Sequence, residues 1–176
     1  MGINMLRFSY WLQHGQVPYT AIISGEHNKA SFHLATREHF QSAYYKIANK
    51  TDALEHLCKT RALKAEEIAF VFDDILDVSM ARKCGIRILV NRPGPSLFQK
   101  YIADHKLADY VTAAHSGRYA VRECCELIMG FQNSFETAIE ERSAFSAKYT
   151  RYLRARNEMP TDFFTREGDQ IVTKKP

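Results

Sequence analysis

Three short stretches combine residue types that can do phosphate chemistry. The first is Ile22-Ile23-Ser24-Gly25, an apolar run that ends in a hydroxyl and a small residue. A serine hydroxyl beside exposed backbone amides near a helix start suits a phosphate, which makes Ser24 and Gly25 candidates. Ser-Gly is also a routine turn. The second is Lys50 in Ala48-Asn49-Lys50-Thr51-Asp52, at the start of a helical pattern. A cation there opposes the helix dipole, which is mildly unfavourable unless the charge neutralises something such as a phosphate. A surface lysine is the plainer alternative. The third is Val71-Phe72-Asp73-Asp74-Ile75-Leu76-Asp77, with three carboxylates directly after an apolar run. Adjacent acids repel each other unless a cation or hydrogen-bond donors offset them. Hard oxygen ligands with room for water suit Mg²⁺, so Asp73, Asp74 and Asp77 are candidate metal ligands. The alternative is that Asp77 caps the next helix and the Asp pair is solvated.

These residues need a scaffold that brings strand ends together. Short β-rich runs fall at 19–24, 69–72, 86–90 and 110–112, with a further short strand at 42–47. Helical stretches at 28–40, 50–63, 77–83 and 96–105 lie between them. Continuous apolar strands alternating with helices argue for a parallel sheet with helices on its faces. The punctuation agrees: Gly15 and Pro18 precede the first run, Gly85 precedes the run at 86–90, and Arg92-Pro93-Gly94-Pro95 follows it. The expected fold class is an open, doubly wound, Rossmann-like α/β domain, a class that binds ligands at the carboxyl ends of its strands. All three stretches fall at such ends.

From Arg118 the pattern changes. Val121, Cys124, Ile128, Phe131, Phe135, Ala138, Phe145, Tyr149 and Tyr152 recur at steps of three and four, interrupted by Arg142. This spacing predicts a single long amphipathic helix to about Arg156. Its later turns either fold back on the domain's own core or form an interface between copies, in a homo-oligomer of two or four chains. The residues from Met159 read as a polar tail. The expected division is therefore a domain at 1–130, a helical extension at 131–157 and a tail at 158–176. Phe8, Tyr10 and Trp11 are expected to pack a first helix onto the sheet, and Tyr44-Tyr45 to be strand core.

Composition removes several classes of function. The chain has 176 residues, 45% apolar and 25% charged, which excludes wholesale disorder and a disulfide scaffold. No apolar run is long enough to span a bilayer, and the first twelve residues lack the pattern of a signal peptide, so a cytoplasmic protein with no membrane partner is expected. The net charge of +4 is not a nucleic-acid footprint, and no nucleic-acid partner is expected. Cys58, Cys84, Cys124 and Cys125 have no CxxC spacing, and the seven histidines have no ligand spacing.

The order strand-Ser-Gly, then Lys, then strand-Asp-Asp-x-x-Asp resembles the haloacid dehalogenase superfamily of phosphohydrolases. More narrowly, it resembles the capless 3-deoxy-D-manno-octulosonate 8-phosphate phosphatase group. Ser24 stands where the second motif has Ser or Thr before Gly, and Lys50 stands at the third-motif Lys. Asp73, Asp74 and Asp77 match the fourth motif, Gly-Asp-Asp-x-x-Asp. Met80-Ala81-Arg82-Lys83-Cys84-Gly85, Leu107-Ala108-Asp109-Tyr110-Val111-Thr112 and Ser116-Gly117-Arg118-Tyr119-Ala120-Val121-Arg122-Glu123 resemble later family segments. The likeness covers roughly residues 15–130. It implies a Mg²⁺-dependent phosphatase acting on a small phosphorylated sugar or sugar acid. An aspartate on the first strand attacks phosphorus and a second, two residues later, serves as acid and base. Ser24 and Lys50 hold the phosphoryl oxygens, and the metal is held partly by the fourth-motif aspartate, Asp73 foremost.

The sequence also departs from that pattern. No Asp or Glu occurs before Ser24, so the Asp-x-Asp-Gly motif is missing, and Met1-Gly2-Ile3 resembles a family segment that follows it. Either the true start lies upstream or the chain is a degenerate homologue; for these residues the expectation is little or no turnover. The alternative is a non-catalytic relative that binds a phosphorylated ligand or a protein. An unrelated receiver-like domain would carry its Asp pair on the first strand, and Asp73 comes too late for that. Phe72 replaces a glycine, Glu26 stands where Arg often follows, and Ser116 and Tyr119 replace two further glycines.

Overall fold

A computed structural model of the chain describes residues 2–94 and 96–176. Met1, and Pro95 of the turn expected after the run at 86–90, lie outside the described residues. In chain order the elements are α1 (Gly2–His14), β1 (Ala21–Ile23), α2 (Lys29–Arg37), β2 (Ser42–Tyr45), α3 (Lys50–Arg61), β3 (Ala69–Phe72), α4 (Val78–Ala81), β4 (Ile86–Asn91), α5 (Leu97–Asp104), β5 (Tyr110–His115), α6 (Ala120–Phe131), α7 (Phe135–Ser143), α8 (Ala147–Asn157), β6 (Asp162–Glu167) and β7 (Gln170–Thr173). They fall into two compact units. One is residues 1–46 with 125–176, and the other is residues 47–124. The C-terminal residues therefore belong with the N-terminal ones, and are not an extension and tail beyond a domain ending near residue 130.

The first unit carries a four-stranded sheet in the order β1-β2-β6-β7. β1 and β6 each pair with β2 in parallel, and β7 pairs with β6 antiparallel. All four residues of β2 are buried, Tyr44 and Tyr45 among them, as suits an apolar strand with neighbours on both edges. Ala35, Phe40 and Ala43 form one core cluster, with Ile3, Ile22 and Phe163 packed against it. A second cluster joins Phe8 to Ala138, Tyr149 and Tyr152, with Trp11 beside it. So Phe8 and Trp11 pack α1 mainly onto α7 and α8, where packing onto the sheet was expected. Arg7 is buried on the same helix. Its guanidinium donates to the carbonyls of Glu38 and His39 and lies 5.7 Å from the centre of the Phe40 ring. It thereby supplies donors to carbonyl groups at the end of α2.

The expected long helix is a correction the structure makes. Residues 118–156 form three helices, α6, α7 and α8, and the expected tail forms the β6–β7 hairpin. α6 ends where Asn133 takes a left-handed φ of 50°, and α7 ends where Phe145 takes 47°. Ser134 Oγ donates to the Met129 carbonyl and accepts from Ser9 Oγ at 2.6 Å, so the first break is pinned to α1. Arg142, which interrupted the apolar stripe, lies 4.3 Å from the Tyr149 ring centre. The later turns fold back onto the unit's own core.

The second unit carries a parallel sheet in the order β3-β4-β5. Its core joins Phe72, Ala81, Leu89, Ile102 and Leu107. The helices around it start where the sequence provides caps. Asn49 Oδ1 accepts from the Thr51 amide at the start of α3, and Ser96 Oγ accepts from the Gln99 amide at the start of α5. Gly85 lets the chain pass close to Glu66: a Cβ there would sit 1.9 Å from the Glu66 carbonyl oxygen.

Candidate functional site

Ser24 lies in the first unit, just past the carboxyl end of β1. Its amide donates to the Tyr44 carbonyl at 2.9 Å, and its hydroxyl accepts from the Glu26 amide at 3.2 Å. The hydroxyl thus closes its own turn, with Gly25 half-buried inside it. α2 begins only at Lys29, and Asn28 Oδ1 already accepts from the Ala30 and Ser31 amides. Those amides are capped by the chain itself, so the helix start expected beside Ser24 does not present them.

The other sequence-predicted residues all lie in the second unit. Asp73 and Asp74 follow β3 directly, at its carboxyl end, and Asp77 closes the short turn after them. Asp77 is buried, at 7% exposure. Its Oδ2 accepts from the amides of Asp73 and Asp74, at 3.4 and 3.2 Å, and its Oδ1 lies 3.4 Å from Lys50 Nζ. Lys50 is buried too, at 8% exposure, so it is not a surface lysine. It opens α3 and turns its ammonium to the acidic loop. A buried carboxylate and a buried ammonium each need such a partner, because desolvation alone penalises both charges. Asp74 is exposed and its Oδ1 accepts from the Ile75 amide at 2.6 Å, capping the turn. Asp77 thus shapes the loop behind it and holds Lys50; its carboxylate makes no cap to α4, so it does not do what the capping alternative expected.

Asp73 has a partner that the sequence reading missed. Arg92 Nη2 donates to Asp73 Oδ2 at 2.9 Å. Arg92 directly follows β4, which pairs in parallel with β3, so both residues leave the same end of the sheet. The only sequence signal was a cation immediately after a buried apolar strand, and it was read as part of a Pro-Gly turn. Beside this loop is an open depression of about 850 Å³, lined by Asn49, Ile75, Leu76, Arg82, Leu97 and Tyr101 among others. Most of its wall is apolar; Arg82 Nη2 donates to Tyr101 Oη at 3.0 Å.

Comparison with known proteins defines the class of fold first. A probable YrbI family phosphatase from Pseudomonas syringae has a TM-score of 0.64 and 29% identity, over 79% of this chain and 71% of that one. The 3-deoxy-D-manno-octulosonate 8-phosphate phosphatase of Moraxella catarrhalis, in complex with magnesium, phosphate and a KDO molecule, has a TM-score of 0.63. It is 28% identical over 78% of this chain and 74% of that one. The chain has the haloacid dehalogenase-like α/β fold, with a parallel sheet and helices on both faces. More narrowly, the similar sequences are 3-deoxy-D-manno-octulosonate 8-phosphate phosphatases. The Escherichia coli K12 enzyme is 34% identical over 95 residues, 54% of this chain and 47% of the relative. The Yersinia pestis enzyme is 31% identical over 118 residues, 67% of this chain and 59% of the relative. These likenesses support kinship with that phosphatase family of the superfamily. The chain spans about half the length of the curated relatives it matches. No family model matches it.

The Moraxella relative holds magnesium, an ion that needs carboxylate oxygens free to receive it. Both oxygens of Asp77 are taken, one oxygen of Asp74 caps a turn, and one oxygen of Asp73 is held by Arg92. Among the described residues, no three His, Cys, Asp or Glu side chains gather as a group that could hold a metal. The donor set as arranged does not fit a magnesium ion held by these carboxylates alone.

Proposed function

We propose that this chain is a haloacid dehalogenase-type phosphatase relative that binds a small phosphorylated sugar or sugar acid, and that its 176 residues alone turn over little or no substrate. The observation that carries the reading is the buried Lys50, whose ammonium is held on the loop that follows β3. Such a cation at the carboxyl end of a parallel sheet suits a phosphoryl group. In this reading Lys50 neutralises the phosphoryl oxygens. Ser24 and Gly25, in the first unit, are candidate phosphate-binding residues by the family resemblance. Asp77 positions Lys50. Covalent transfer needs a carboxylate to attack phosphorus, and no Asp or Glu precedes Ser24. Magnesium enters the reading as the ion that the Moraxella relative carries; no step is routed through it here. A cytoplasmic homo-oligomer of two or four chains completes the reading. No helix of the described residues is long and apolar enough to cross a membrane.

A second reading, a non-catalytic protein that binds a phosphorylated ligand or a protein partner, is favoured by the satisfied carboxylates. Two measurements on the full chain test phosphate recognition and turnover. The first is titration calorimetry with inorganic phosphate and with 3-deoxy-D-manno-octulosonate 8-phosphate, for the wild type, Ser24→Ala and Lys50→Gln. The second is phosphate release with added Mg²⁺, with Asp73→Asn as control. Binding of the sugar phosphate that weakens in both variants, without release, supports the main reading. Release that Asp73→Asn abolishes overturns the expected inactivity. No binding of either anion overturns phosphate recognition and leaves the protein-binding reading.

A further inference from the structure

The acidic loop after β3 carries three carboxylates within five residues, and the chain supplies the offsetting cations itself. Lys50 serves Asp77 from inside the unit, and Arg92 serves Asp73 from the neighbouring strand end. Arg92 is not a loosely hung surface side chain. Gln99 Nε2 donates to Asn91 Oδ1 at 2.6 Å and to the Arg92 carbonyl at 3.5 Å. The Asn91 amide donates to Thr112 Oγ1 at 2.9 Å, and the Ser116 amide donates to the Asn91 carbonyl at 3.1 Å. The backbone that launches Arg92 is therefore tied to both α5 and β5. The Arg92–Asp73 pair itself stays open to water, with side-chain exposures of 53% and 40%. A pair of that kind is displaceable, because solvent screening keeps its strength modest.

We propose that the guanidinium of Arg92 takes the charge-neutralising place on Asp73, and that a hard divalent cation gains that carboxylate only by displacing it. The inference deepens the functional reading above by assigning the competitor at Asp73, and it concerns this chain's own side chains, not a catalytic step. Two effects oppose the ion. One oxygen of Asp73 is engaged, and the guanidinium places a positive charge within hydrogen-bond distance of it. Removing Arg92 lifts both at once. Asp73 would then be a carboxylate at a strand end beside the exposed Asp74, with room for the waters that a hard cation keeps.

The test is Mn²⁺ binding to the full chain in the absence of any phosphate compound, followed by electron paramagnetic resonance of the free ion. Wild type, Arg92→Ala, Arg92→Lys and the double variant Arg92→Ala/Asp73→Asn are compared, with far-ultraviolet circular dichroism confirming that each is folded. Arg92→Ala is expected to bind one Mn²⁺ roughly tenfold more tightly than wild type, as losing a nearby like charge at intermediate dielectric implies. Arg92→Lys should fall between them, because a point charge remains without the planar fork. The double variant should lose the gain. Equal affinity in wild type and Arg92→Ala, whether both bind or neither does, overturns the proposal. So does a gain that survives Asp73→Asn. The outcome is separable from that of the functional reading. Failure of phosphate binding in calorimetry would sink that reading and leave this competition standing, and equal Mn²⁺ affinities would do the reverse.

Discussion

At the residue scale, the best-defined interaction of the site is the buried Lys50–Asp77 pair, with side-chain exposures of 10% each. Attraction in such a pair is largely offset by the desolvation of both charges, whereas leaving one partner alone is strongly unfavourable. Lys50→Met should therefore destabilise the protein by about 3 kcal/mol, the cost of stranding a buried charge. Asp77→Asn should cost a comparable amount, since it takes the carboxylate charge away from the buried Lys50 ammonium. The double variant should be clearly more stable than the sum of the single losses implies, a coupling that urea unfolding reads directly. Additive losses would mean that the pair is not energetically coupled. That Ser24, Lys50 and the three aspartates stand at strand or helix boundaries was legible in the sequence, because those boundaries are themselves legible. Arg92 was not. Its contact with Asp73 depends on β3 and β4 being neighbours, and nothing local to the Arg-Pro-Gly turn encodes that.

At the element scale, the end of β5 is fixed by one carboxylate. Glu123, in the first turn of α6, accepts from Tyr110 Oη at 2.6 Å and from the Ala113 and Ala114 amides at 2.7 Å each. Burial raises its pKa, but these three donors outweigh burial and leave it below the ordinary glutamate value. A carboxylate with a depressed native pKa contributes stability that is present above its unfolded value and is lost as pH falls through the native one. The loss should begin below about pH 4.3, the ordinary glutamate value, and be complete only below the native one. Asp109, held down by its hydrogen bond from Arg87, loses stability on the acid side of the aspartate range, so wild type alone is not diagnostic. The diagnostic quantity is the difference. Glu123→Gln should be less stable near neutrality and should lose less on acidification, measured as Tm against pH. Parallel curves would show that the donors do not favour the ionised form. Elements of this kind were readable where the period is local: β2 to β5 and α2 to α5 follow apolar runs and visible caps. The breaks at Asn133 and Phe145 were not readable. No proline or glycine marks either position, and the apolar spacing of three and four continues across both. What ends these helices is tertiary, namely Ser9 holding Ser134 and the return of Tyr149 and Tyr152 onto Phe8.

At the scale of the whole molecule, the least legible feature is the β6–β7 hairpin. Its sequence mixes Phe163, Phe164, Ile171 and Val172 with polar residues, and β6 is placed by pairing with a strand more than a hundred residues earlier in the chain. β6 pairs with β2 in parallel from Ser42↔Asp162 to Tyr45↔Thr165, and Phe164 stacks on Tyr44 with ring centres 5.0 Å apart. Tyr45 Oη donates to the Lys174 carbonyl at 3.1 Å, which ties the end of the hairpin to the same strand. A chain ending at Asn157 would lose all of this. β2, buried along its full length, would become an open edge with unpaired amides and carbonyls, and Phe163 would leave its place against Ala35, Phe40 and Ala43. An exposed apolar edge strand pairs readily with other chains. The truncated chain is therefore expected to aggregate, or to lose near-ultraviolet aromatic ellipticity and elute at anomalous size. Removing only residues 168–176 should be milder, because β7 is an outer strand with exposed ends and β6 would still cover β2. A chain ending at Asn157 that stays soluble with an unchanged Tm would show that the first unit does not need its C-terminal strands. The sheet that presents Ser24 would then be held by β1, β2 and α2 alone.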